Sequence, residues 1–274
     1  MSDLSKINWF PGHMKIATDA ILNMNKQIDL ILEVVDARGI HISSNTDLLK
    51  LLPNKPIVKL ALKSDLSDLN LVNKSNLIFA SKFQKNLRSI LLNSFKHLMH
   101  EKTLKFKNKG LLLPNYNIVV IGLPNVGKST IINILANKIK AKTENRPGVT
   151  KSVSTIKLNE MFNLIDTPGI LFKKIDDFEV GAKLTLMGII KSNVVPLDDI
   201  LFFAYNYLKT NYVSLLKDYI LNFDLDDQYE DFLIKLATKR NFISIKNKLD
   251  LQKTAETFFN NLTNGNIGKL NYEH

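Results

Sequence analysis

The sequence predicts an α/β domain, a mostly parallel sheet flanked by helices, followed by an all-helical domain. Three observations lead there. Apolar runs at 28–35, 56–62, 77–80 and 118–121 alternate with stretches of helical periodicity, the pattern of parallel βαβ units. The last of these runs empties at Gly122 into a loop that recloses at Gly127-Lys128-Ser129 before an apolar-periodic helix, Ile131 to Lys138. From Leu197 onward the chain reads as helices alone. The expected boundary therefore divides residues 1–194 from residues 195–274.

Composition narrows the function classes. The chain has 274 residues, 45% of them hydrophobic, enough for a core in one or two domains. With no cysteine there is neither a disulfide frame nor a thiolate metal site, and the five histidines are scattered. Lys+Arg outnumber Asp+Glu by 37 to 26, a net charge of +11, yet the only arginines are Arg38, Arg88, Arg146 and Arg240. Lysines neutralise phosphate whereas base-edge reading favours arginine, so the balance suits RNA better than DNA. The abundance of Lys, Asn and Ile also reads as coding bias. No run approaches a membrane span and residues 1–10 lack a signal-peptide core, so a cytoplasmic monomer without a membrane partner is expected.

Taken in order, the chain opens on Asn-Trp-Phe-Pro-Gly-His-Met at 8–14, a turn feeding an amphipathic stretch through Ile16, Ala20, Ile21 and Met24. His13 within it reads, from the residues alone, as a cap or core histidine ahead of a catalytic one. The run 28–35 ends in Asp36-Ala37-Arg38, and a helix is expected over Thr46 to Leu52. The run 56–62 ends in Lys63-Ser64-Asp65, with a helix from Leu66 to Asn73; the run 77–80 ends in Ser81-Lys82 and feeds a helix from Gln84 to His100. Residues 101–115 read as a basic, solvated linker. Val153 to Leu158 and Met161 to Ile165 form a hairpin that gives the sheet one antiparallel edge. Helices are expected over 179–191, 197–209, 213–222, 228–239 and 249–262, with Lys235, Lys239, Arg240, Lys246, Lys248 and Lys269 scattered through the tail.

Two motifs carry chemistry. Gly-Leu-Pro-Asn-Val-Gly-Lys-Ser at 122–129, in strand-loop-helix context, is a phosphate-binding loop. Its glycines let the N–H groups of Val126, Gly127, Lys128, Ser129 and Thr130 wrap phosphates at a helix N-terminus, where the dipole favours anions. Lys128 would reach the β and γ phosphates, and Ser129 would hold Mg²⁺. The second motif is Asp166-Thr167-Pro168-Gly169 at the end of an apolar strand. Asp166 there would bind Mg²⁺ through water, and the Gly169 N–H would meet the γ phosphate.

Guanine-nucleotide switches usually order their motifs as phosphate loop, switch threonine, Asp-x-x-Gly, Asn-Lys-x-Asp and Ser-Ala-Lys. Here Leu62-Lys63-Ser64-Asp65 and Ala80-Ser81-Lys82 look like the last two, and both precede the phosphate loop. The domain is circularly permuted. With that order, the opening Trp-Phe-Pro-Gly-His-Met, Asp-Ala-Arg, Arg-Pro-Gly-Val-Thr, Asp-Thr-Pro-Gly-Ile-Leu and the closing Gly268-Lys269-Leu270, the chain resembles the YlqF/RbgA family of ribosome biogenesis GTPases along essentially its whole length.

The resemblance implies a GTPase acting late in large (50S) subunit assembly, stimulated by the subunit precursor and contacting its rRNA and ribosomal proteins, the helical domain included. It implies GTP and Mg²⁺ as ligands, with K⁺ held in part by Asn125. Thr150 would close on Mg²⁺ and the γ phosphate, while Lys63, Asp65 and Ser81 would hold the base. Ile170 and Leu171 stand where a water-orienting glutamine would, so the resemblance raises His13 to the catalytic candidate.

One residue departs from the pattern. The family has asparagine where this chain has Leu62, and losing that amide should cost about 1 to 3 kcal/mol, roughly one to two decades in affinity. GTP preference is expected to persist through Asp65 at weakened affinity. The competing expectation is a non-hydrolysing RNA-binding assembly factor with a degenerate site, against which stand the intact phosphate and magnesium residues.

Overall fold

The computed structural model describes residues 21–71, 76–137, 154–166, 175, 177–191, 196–244 and 248–273. Among these, one compact unit runs from Ile21 to Asp166 and takes up Glu273, and the other runs from Ile175 to Tyr272.

The first unit is a six-stranded sheet. Its strands are β1 (Leu30–Asp36), β2 (Ile57–Leu62), β3 (Leu77–Phe79), β4 (Tyr116–Ile121), β5 (Ser154–Lys157) and β6 (Phe162–Asp166), in the order β3-β2-β1-β4-β6-β5. All neighbours are parallel except β5 and β6, which form the expected hairpin. Every residue of β1 is buried, as suits a central strand covered on both faces. The chain lays down β1, β2 and β3 in one direction and then returns to the other side of β1 for β4. That reversal opens a crevice at the carboxyl ends of β1 and β4, where open α/β sheets bind ligands.

Helices α1 (Thr46–Leu51), α2 (Leu87–Leu98), α3 (His100–Asn108) and α4 (Lys128–Ala136) flank the sheet. On α2, Leu87, Leu91, Leu92 and Phe95 recur at helical spacing and are buried, and Phe95 meets Phe162 of β6 edge-on at 5.8 Å. Arg88 on the same helix donates to the carbonyls of Leu135 and Leu158, tying α4 to the β5–β6 hairpin.

Three expectations need correcting. The basic segment after His100 is not a linker over its first half: it is α3, exposed along most of its length. Tertiary contacts hold it where its own apolar content does not. Thr103 Oγ1 meets the Tyr116 hydroxyl at 3.0 Å, and the Lys102 ammonium pairs with Asp29 at 2.6 Å and lies over the Tyr116 ring. Only a 3₁₀ turn, Leu69–Leu71, forms within the described part of 66–73. The helix expected over 179–191 stops at Leu186, because Gly188 takes a φ of 72° and turns the chain.

The second unit consists of α5 (Phe178–Leu186), α6 (Leu197–Asn211), α7 (Val213–Tyr219), α8 (Tyr229–Arg240) and α9 (Leu251–Thr263). Its core is a chain of aromatic rings: Tyr205 lies 5.0 Å from Phe232, which lies 4.8 Å from Phe258. The closing Gly-Lys-Leu has a packing reason, since a Cβ on Gly268 would come within 2.7 Å of Leu215 on α7. Two lysines of the tail have internal partners. Lys235 pairs with Asp227 at 2.6 Å and donates to the Asn222 carbonyl, while Lys239 donates to the Tyr219 carbonyl at 2.8 Å.

Candidate nucleotide site

The phosphate loop joins β4 to α4, and its shape depends on two glycines. Gly122 passes so close to β1 that a Cβ would stand 2.3 Å from the Val34 carbonyl oxygen. Gly127 has a φ of 111° and is the N-cap of α4. No side chain caps that helix start and no acidic residue lies in its first turn, so its N–H groups and positive end suit an anion. Val126 is fully buried and anchors the loop, whereas Asn125, with a φ of 59°, is exposed beside it. Ser129 and Thr130 are exposed on the first turn.

Lys128 Nζ donates to the carbonyls of Gly122 at 2.8 Å and Leu123 at 2.7 Å, spanning its own loop. Burial takes solvent from its ammonium and lowers its pKa to about 8. A desolvated cation bounded by helix N–H groups is a site built for negative charge, and the residues present fit a polyphosphate.

The turn after β2 begins at Leu62. Lys63 adopts a left-handed φ of 59°, and the turn closes through Leu66 N–H on the Lys63 carbonyl and Ser64 N–H on the Ala80 carbonyl after β3. Lys63 Nζ pairs with Asp36 Oδ2 at 2.8 Å. Asp36 ends β1 and is also gripped by Arg38, whose Nε and Nη2 reach its two oxygens at 3.0 and 2.9 Å. Burial alone would raise the Asp36 carboxyl, but Arg38 and Lys63 together hold it below the usual carboxylate range. Asp65 is exposed at the turn, and Ser81 Oγ accepts from the Phe83 N–H at 3.3 Å on the neighbouring loop.

The two loops touch. Leu62 is buried, and a Cβ placed on Gly127 would come within 2.7 Å of its Cδ1, so the leucine methyl lies against the face of the glycine. The carboxyl edge thus joins the Leu62-Lys63-Ser64-Asp65 turn to the phosphate loop across β1.

Comparison with known proteins gives the family and the fold. The family profile of 50S ribosome-binding GTPases matches residues 117–248. The chain is 41% identical to the probable ribosome biogenesis GTPase A of Mycoplasma genitalium over 98% of its own length and 97% of that protein. It is 34% identical to ribosome biogenesis GTPase A of Bacillus pumilus over 97% and 98% of the two chains. The chain belongs to the ribosome biogenesis GTPase A family. Its fold superposes on GDP-bound TM YlqF with a TM-score of 0.64 at 22% identity, covering 93% of this chain and 98% of that one. GNP-bound YlqF from T. maritima gives 0.62, also at 22% identity, over 94% and 97%. Like other members, this GTPase hydrolyses GTP.

Within this ribosome biogenesis GTPase the described residues bring together Lys63, Asp65, Ser81, Asn125, Val126, Gly127, Lys128, Ser129 and Thr130 on loops of one sheet edge. Asp166 ends β6 in register with Ser154, and its side chain lies outside the description, as do His13, Thr150 and Gly169. Sequence reading found Asp36-Ala37-Arg38 but assigned it no task; the structure makes Asp36 the anchor of Lys63. An acid closing an apolar run, with an arginine two residues on, was the available signal.

A second tetrapeptide carries the same pattern. Asn247-Lys248-Leu249-Asp250 carries the consensus asparagine that residue 62 lacks, and it follows the phosphate loop as in an unpermuted switch. Asp250 belongs to the helical unit, where it caps α9: its Oδ1 accepts from the Lys253 N–H at 3.0 Å.

Proposed function

We propose that the protein binds guanine nucleotide across the β2, β3 and β4 loops and hydrolyses GTP in late assembly of the large ribosomal subunit, with the subunit precursor stimulating turnover. The observation that carries this reading is the contact of Leu62 with Gly127, which couples a base loop to a phosphate loop at the sheet's switch point. Lys63, held by Asp36, lays its aliphatic stem over the base, and the Asp65 carboxylate accepts from the two donors of the guanine edge. Ser81 closes the base side. The N–H groups of Val126 to Thr130 hold the phosphates.

Catalysis here is positioning and charge neutralisation. Lys128 turns from its own loop carbonyls to the β and γ phosphates as charge accumulates there. Oxygen donors on Ser129, Thr150 and Asp166 suit Mg²⁺, which when bound neutralises charge on the β and γ phosphates. Asn125 contributes to a K⁺ site, the Gly169 N–H meets the γ phosphate, and His13 orients the attacking water. The net charge of +11 favours rRNA as the surface that orders these parts, with a monomer in the cytoplasm as the acting form.

The test is GTP hydrolysis with and without 50S particles, in KCl and in NaCl. Stimulation by particles, larger in KCl, is expected. His13→Ala should keep GTP binding and lose the stimulation; full stimulation in that variant removes His13 from the mechanism.

A further inference from the structure

We propose that Leu62 makes this site indifferent to the N7 edge of guanine, so that the base is selected by its N1–H and N2 amine alone. The inference rests on the nucleotide reading above and deepens it. Guanine hangs from its ribose by the five-membered ring, so the residue that touches the phosphate loop also neighbours that ring, which carries the acceptor N7. Residue 62 is in that place: its Cδ1 lies against Gly127, and only 5% of its surface is exposed. Asp65, further along the turn, faces the opposite edge with its donors.

A leucine has no N–H to offer an acceptor. What it supplies is an apolar contact that braces the base loop on the phosphate loop where an amide would bridge them. The surrounding frame leaves it there. The Leu62 carbonyl accepts from the Ala37 N–H at 2.7 Å, the Ser67 hydroxyl donates to the Ala37 carbonyl at 2.6 Å, and Asp36 holds Lys63. Residue 62 is therefore fixed in place while the reading of one base edge is removed.

The experiment is competition of unlabelled GDP, 7-deaza-GDP and IDP against a fluorescent guanine nucleotide on the full chain. 7-Deaza-GDP replaces N7 by C–H, and IDP lacks the N2 amine. Wild-type protein is expected to bind 7-deaza-GDP within about twofold of GDP, and IDP at least about tenfold more weakly. Leu62→Asn is expected to open a gap of about threefold to tenfold between GDP and 7-deaza-GDP. A wild-type preference for GDP over 7-deaza-GDP above fivefold overturns the proposal and leaves the nucleotide reading intact, and needs no variant that folds. Equal binding of both by a folded Leu62→Asn overturns the placement of residue 62 beside N7. Absence of saturable GDP binding overturns both readings.

Discussion

Two tetrapeptides of this chain carry the guanine-reading pattern, and we propose the role for the one with the poorer consensus. Asn247-Lys248-Leu249-Asp250 matches the guanine-reading pattern in full and stands in the unpermuted order. Its aspartate accepts from its own helix, as an N-cap does. Leu62-Lys63-Ser64-Asp65 breaks the pattern at its first residue. Yet it leaves the carboxyl end of a parallel strand, its lysine is clamped by a buried carboxylate, and its leucine rests on the phosphate loop. A recognition motif works through what surrounds it. The same carboxylate caps a helix in one setting and stands exposed on a strand-end turn in the other.

The sharpest way to break that comparison is to change each aspartate. Asp65→Asn exchanges the carboxylate proposed to accept from guanine for an amide that would donate to the O2 of xanthine. It should weaken GDP by about a hundredfold or more and bring xanthosine diphosphate into preference, measured by competition binding. Asp250→Asn should leave the preference unchanged, and Asp250→Ala should cost about 1 kcal/mol of stability through the lost cap. A shift of base preference in either Asp250 variant would reverse the two assignments.

The loop contact offers the next test. Gly127→Ala meets both a φ of 111° and the Leu62 methyl, and should lose about 2 kcal/mol in denaturant unfolding. Adding Leu62→Ala removes the overlap but not the strain, so the pair should be coupled by about 1 kcal/mol. Strict additivity would mean that the base loop and the phosphate loop do not touch in solution.

The smallest effect is a pH dependence of the phosphate side. In the free protein the Lys128 pKa of about 8 lies below its ordinary 10.5. Between those values the folded state holds fewer protons than the unfolded one, so stability from this group rises with pH across that window. Bound phosphate favours the ammonium, so binding takes up a proton and affinity falls as pH rises through about 8. A loss of about tenfold between pH 7 and pH 9 is expected for GDP by calorimetry, with proton uptake visible across buffers of different ionisation enthalpy. A flat profile would mean that Lys128 is already charged before nucleotide arrives.

Much of this was legible in the residues because its causes are local. The apolar runs at 28–35 and 118–121 are strands because they are covered on both faces, and such burial needs no alternation, while 56–62 is covered fully only toward its end, Leu60 to Leu62. The tail helices were legible from periodicity; the structure adds the caps, Asp250 at the start of α9 and a capping box of Gln228 with Asp231 in the first turn of α8. Helix α3 was not, because its composition is that of a solvated segment and its supports, Tyr116 and Asp29, are remote in sequence.

What the sequence determined by itself is the phosphate loop: the two glycines that bracket it, Gly122 and Gly127, set its backbone, and Lys128 and Ser129 follow on the helix that it starts. The tertiary structure alone decided that the turn after β2 lies beside that loop, that Asp36 rather than solvent holds Lys63, and that Leu62 lies on Gly127. Those facts depend on strand order, which brings β2 and β4 to either side of β1 from positions more than fifty residues apart. Local chemistry writes the first kind of feature, and only the packed sheet can write the second.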